Sequence, residues 1–199
     1  MHQLVEKGVM QRVGRGIYKL GQQKEFVPLL SEDHKAIYGI LKEKFPYLDV
    51  CIWSTKWLVP WMLHIPFIHE TIIEVEKGAE ESVFYFLSSE RENVFLNPKK
   101  DILDKYTKDS KERIIIKNLI TGSPLQNMDD IQIPALEKIL VDLLVDIELL
   151  SAYQGRDLES IFENAFRYIT INRDKLLRYA GRRGKKESVE EKIKEILQQ

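Results

Sequence analysis

Between Gly8 and Gly21 the sequence reads GVMQRVGRGIYKLG, and its cations are the first residues whose placement suggests chemistry. Arg12 and Lys19 lie on two alternating arms, and Arg15 at the Gly14-Arg15-Gly16 turn between them. Guanidinium and ammonium groups on a narrow ribbon suit nucleic-acid phosphates, and the two glycines let the ribbon tip approach a backbone closely. A second basic run, RDKLLRYAGRRGKK, places Arg178, Arg182, Arg183, Lys185 and Lys186 around Tyr179 and two glycines. It can meet nucleic-acid phosphate or an acidic partner, or serve as the solvated connection between two helices.

Other constellations are weaker. IIEVEK, Ile72–Lys77, ends a strand pattern with acids and a lysine, as a restriction-type nuclease would, but Lys77 is adjacent to Glu76 and three residues from Glu74, so the register fails and a solvated strand end is expected. Thr121-Gly122-Ser123 followed by Asp129-Asp130 lacks the Asp-x-Asp of a nucleotidyltransferase, and a turn with Pro124 explains it. His64 and His69, separated by Pro66, share no helical face and read as hydrogen-bonding residues. Asp142 and Asp146 do share a face, one turn apart, and their repulsion is expected to be relieved by an Arg or Lys from a neighbouring helix or, alternatively, by a basic partner. Trp53, Trp57, Trp61 and Phe67 form an aromatic cluster around Pro60, as core or as a protein interface. No acid, base and nucleophile come at usable spacing. The residues therefore predict no catalytic site, no metal and no cofactor, and a protein that is not an enzyme.

Composition sets the frame. At 199 residues and 44% hydrophobic, the chain can bury a core of ordinary size. Its net charge of −1 gives no global field toward nucleic acid or membrane, so any such signal is local. Residues 1–24 carry five cations against one acid, residues 173–186 seven against one, and residues 129–163 nine acids against two cations. The single Cys51 sits in an apolar run and fits a reducing compartment. No stretch reaches the roughly 20 apolar residues of a membrane span and the start lacks a signal peptide's apolar core, so the expectation is a cytoplasmic protein without membrane contact.

Periodicity then supplies elements to hold these residues. His2–Lys7 reads as a helix tail stopped by Gly8, followed by strands at Val9–Val13 and Ile17–Leu20. Ser31 caps a helix through Lys44; strands follow at Leu48–Trp53, Ile68–Val75, Val94–Leu96 and Arg113–Ile120, with helices at Trp57–Leu63, Ala79–Ser89 and from Asn97 or Pro98. From Pro134 onward the pattern is helical: a first helix carries Leu136 to Ile147, a second spans Leu158–Ile169, and shorter ones cover Arg173–Tyr179 and Ser188–Gln198. The expected class is α/β, a small mixed sheet flanked by helices with a helical C-terminal half.

LVEKGVMQRVGRGIYKL near the start, with IPALEKILVDLLVD at Ile133–Asp146, resembles the two recurring signatures of the AbiEi-type antitoxins of abortive-infection, type IV toxin–antitoxin systems. That resemblance implies that residues 1–24 are the recognition-helix tail and wing of a winged helix-turn-helix transcriptional regulator, and residues 25–199 an antitoxin-like α/β domain. It also implies a cognate toxin as partner, with Arg12, Arg15 and Lys19 as the wing's DNA contacts. A complete winged helix needs roughly two more helices before the recognition helix. The opening is therefore expected to be a truncated or remnant wing, with operator binding only where the full winged helix is present. The alternative class is a nucleic-acid-processing or nucleotide-transferring enzyme on the same α/β frame.

Overall fold

The computed structural model describes residues 10–20, 24–106 and 112–198; the expected helix at His2–Lys7 lies outside them. The opening stretch is a hairpin, β1 (Met10–Gly14) antiparallel to β2 (Ile17–Leu20), and forms a two-stranded sheet of its own. Arg15 and Gly16 make the turn, and Gly16 supplies the positive φ (74°) that a tight hairpin requires.

Ser31 starts the first helix, α1 (Glu32–Lys44). Its hydroxyl accepts the His34 backbone N–H at 3.3 Å, while His34 Nδ1 accepts the Ser31 N–H at 3.3 Å, so two orphan donors at the helix start are satisfied reciprocally. Since Nδ1 accepts that bond, the neutral ring carries its proton on Nε2, which lies 3.4 Å from Thr71 Oγ1. Burial holds this imidazole below the ordinary histidine value of 6.5. As pH falls, the unfolded chain takes up that proton first, so stability is expected to decline below about 6.5 and level off once the folded-state value is passed. Urea midpoints measured between about pH 5 and 8 test this. His34→Gln, which still completes the cap, should flatten that limb of the profile.

The main sheet holds β3 (Val50–Ser54), β4 (His69–Val75), β5 (Val94–Leu96) and β6 (Glu112–Asn118) in the order β3-β4-β6-β5. β3 runs antiparallel to β4, whereas β4, β6 and β5 are parallel. A 3₁₀ turn, Thr55–Trp61, leads out of β3; α2 (Glu80–Glu90) joins β4 to β5, and α3 (Lys100–Tyr106) follows β5. β3 is buried throughout and β4 nearly so, which follows from helices lying on both faces. On one side Ile37 and Leu41 of α1 are buried, and α1 meets α2 through Phe45 and Phe86, with ring centroids 5.7 Å apart.

On the other side α4 (Leu136–Val145) reaches the sheet through Lys138 and Glu74, α6 (Arg173–Arg182) packs on α4, and α7 (Lys186–Gln198) packs on α6 and on α5 (Arg156–Tyr168). Before them comes an element that the periodicity does not predict, a hairpin of β7 (Leu125–Met128) and β8 (Ile131–Pro134). Asp129 and Asp130 both take positive φ, 49° and 62°, as the reverse turn of a two-residue hairpin demands. Pro134, expected in a first helical turn, is instead the last residue of β8, facing Leu125. At a strand end its missing N–H costs no ladder bond. α4 stops at Val145, so Ile147 falls outside the expected stripe and is exposed.

Candidate nucleic-acid interface

The tip of the hairpin does not stand alone. β1 packs on α6, and the approach is close: a side chain on Gly14 would begin 3.5 Å from the Asp174 carboxylate. Arg15 at the turn, Arg178 on α6 and Lys186 at the start of α7 thereby line one concavity of about 520 Å³, with Asp174, Leu177 and Gly181 between them. Two basic runs some 160 residues apart in sequence meet on a single exposed face. The side chains of Arg12 and Lys19 lie outside the described residues.

The second run divides. α6 continues through Arg182, past the expected end at Tyr179, so Arg178 and Arg182 belong to a helix rather than to a flexible connection. Arg182, Lys185 and Lys186 are exposed close to the α6 C-terminus, where cations complement the helix dipole. Arg182 lies over the turn at Gly122: a Cβ there would sit 2.7 Å from its guanidinium. Gly122 also has a φ of 74°, so Gly122→Ala is expected to cost about 1–2 kcal/mol and to displace Arg182, read from the urea midpoint.

Arg183 does not join the outer face. Its guanidinium reaches Asp142 Oδ1 at 2.5 Å and Asp146 Oδ1 at 2.6 Å, which is the cation from a neighbouring helix that the two aspartates require. The network continues inward. Tyr179 donates to Asp142 at 2.9 Å, Lys117 on β6 pairs with Asp146, and Lys138 bridges Asp142 (2.6 Å) and Glu74 (2.5 Å). Burial alone would lower the Lys138 ammonium, yet the Asp142 and Glu74 carboxylates hold it well above the usual lysine range. Burial likewise opposes ionisation of Asp146, but Lys117 and Arg183 keep its carboxyl below the ordinary value.

The end of the Ile72–Lys77 stretch is solvated as expected at Glu76 and Lys77, both exposed, but Glu74 is not. β4 lies inside the sheet and α4 covers it, so Glu74 is 1% exposed and takes bonds from Lys138 and, at 3.0 Å, from the Trp53 indole. Glu70, on the same face of β4, accepts from Arg113 (2.5 Å), Thr55 (2.9 Å) and Tyr153 (3.0 Å). Neither carboxylate opens onto a solvent cleft in the manner of a reaction centre. Both tie the sheet to the elements around it.

The remaining expectations sort by burial. Trp53 and Trp57 are core, Trp61 is partly buried, and Phe67 is 70% exposed and apart from them; Phe26 takes its place, with ring centroids 6.3 Å from Trp57 and 5.8 Å from Trp61. His64 pairs with Asp157 at 3.1 Å, and the same carboxylate accepts the Leu63 and His64 backbone N–H groups. Among the described residues, no three of His, Cys, Asp and Glu come together as a metal site, and no helix is long and apolar enough to cross a membrane.

Fold and face together define an α/β protein, a mixed four-stranded sheet between helical layers, carrying a β-hairpin whose cationic tip is seated on the C-terminal helices. The chain belongs to the Family of unknown function DUF6577, whose model matches residues 1–199. No curated protein matches it.

Proposed function

We propose that this chain is a non-enzymatic regulator of the antitoxin kind, gripping nucleic-acid phosphate with the face built by Arg15, Arg178 and Lys186 and recognising a cognate toxin as its protein partner. One observation carries the reading: the hairpin tip and α6–α7 place those three cations around one concavity. Ribbon and helix thus contribute to a common phosphate-facing surface, with Arg182 and Lys185 exposed nearby on the C-terminal side. Such a surface positions a duplex without reading its bases, so it does not depend on a recognition helix. The buried state of Glu70 and Glu74 favours this reading over an enzyme on the same frame.

Fluorescence anisotropy with a labelled duplex, repeated over a series of salt concentrations, tests it. With three phosphates neutralised, log K should fall with log salt at a slope of about −2.7. A flat salt response, or no binding at low salt, removes the nucleic-acid role. The partner is tested separately, by co-purification with the product of the neighbouring gene.

A further inference from the structure

Away from the basic face, the extended segment before α1, the start of α1, the 3₁₀ turn and the first residues of β4 enclose a cavity of about 560 Å³. Phe26, Trp57 and Trp61 form its aromatic wall. Its inner polar groups are sparse. His34 is engaged with Ser31 and Thr71, whereas His69 Nδ1 is buried and meets no hydrogen-bond partner among the described residues. Burial holds both imidazoles below their ordinary value, so at neutral pH they offer donors and acceptors rather than charge. Concave, largely aromatic walls with a few placed polar groups, at this volume, are the build of a small-molecule site.

Charge at the rim decides the class of ligand. Glu25, Asp33 and Glu112 stand there against two cations, Lys56 paired with Glu112 and Arg91 3.6 Å from Asp33, which leaves one acid in excess. A phosphate or carboxylate entering would meet a net negative lip, while an uncharged ring would not. Flat rings pack well on Trp57 and Trp61, and a ring nitrogen or exocyclic amine can satisfy His69 Nδ1. We propose that this cavity binds an uncharged nitrogen heterocycle of the nucleobase or nucleoside class, with its hydrogen-bonding edge on His69, and that the acidic rim rejects the phosphorylated form. The site is separate from the phosphate-gripping face, and its ligand needs no nucleic acid.

Tryptophan fluorescence and calorimetric titration with adenosine, guanosine, cytidine, uridine and their 5′-monophosphates test it. At least one nucleoside should bind saturably, with its monophosphate about tenfold or more weaker. The double variant Asp33→Asn, Glu112→Gln changes only exposed carboxylates and should narrow that gap by raising monophosphate affinity. His69→Ala should weaken nucleoside binding about tenfold. If it melts like the parent and binds unchanged, the His69 contact is wrong; if it fails to fold, selectivity in the parent protein still decides. No saturable nucleoside, or a monophosphate bound as tightly as its nucleoside, overturns the proposal.

Discussion

Replacing Lys138 by methionine is expected to lower the unfolding free energy by about 3–5 kcal/mol, the largest single-residue effect anticipated for this chain. Methionine matches the aliphatic stem, so little packing is lost. What it removes is the ammonium shared by Glu74 and Asp142, both 1% exposed. Asp142 retains Arg183 and Tyr179, but Glu74 keeps only the Trp53 indole N–H among its described partners. A carboxylate left that dry must either stay charged at high cost or take up a proton. Thermal unfolding should fall by about 6–20 °C in a chain of this size. Adding Glu74→Met to Lys138→Met should return at least half of the loss, because an apolar pair in place of a buried ion pair is often neutral. If the double variant is less stable than the single one, the cost is packing and the electrostatic account fails.

Arg15→Glu combined with Arg178→Glu is expected to weaken duplex binding by more than tenfold at moderate salt and to reduce the salt slope by about two, one for each phosphate that is no longer neutralised. Both side chains are exposed, so the melting temperature should stay within the small range usual for surface substitutions. Arg183→Met offers the opposite outcome. It strips Asp142 and Asp146 of a shared partner and should lower stability. The contrast separates a surface role from an internal one among neighbouring cations of the same run. Should the two outer reversals leave affinity and salt slope untouched, the concavity at the hairpin tip is not a phosphate site.

Several elements were legible because their causes are local. Ser31 and the Ile37, Ile40, Leu41 spacing predict α1 to its last residue, since capping and helical period both act within a few residues. Val94–Leu96 and the β-branched run before Asn118 read directly as strands. The Gly14-Arg15-Gly16 turn returned as a hairpin for the same reason. The β7–β8 hairpin was hidden because its turn is Asp129-Asp130, without the glycine that normally announces two positive-φ residues in succession. Pro134 misled because a proline suits both a helix start and a strand end, and only the pairing with Leu125 tells which.

What the sequence determined by itself is the α/β class, the elements with a clear period or cap, the two basic runs and the repulsion between Asp142 and Asp146 that asks for a cation. These rest on periodicity, capping and like-charge repulsion, all properties of neighbouring residues. Tertiary structure alone decided that Arg15 would stand beside Arg178 and Lys186, that Arg183 would turn inward while its neighbours face solvent, and that Glu74 would be sealed under α4. Each of those outcomes depends on which surfaces the folded layers bring within a few ångströms of each other, and Coulomb and desolvation energies follow distance and burial, not sequence separation.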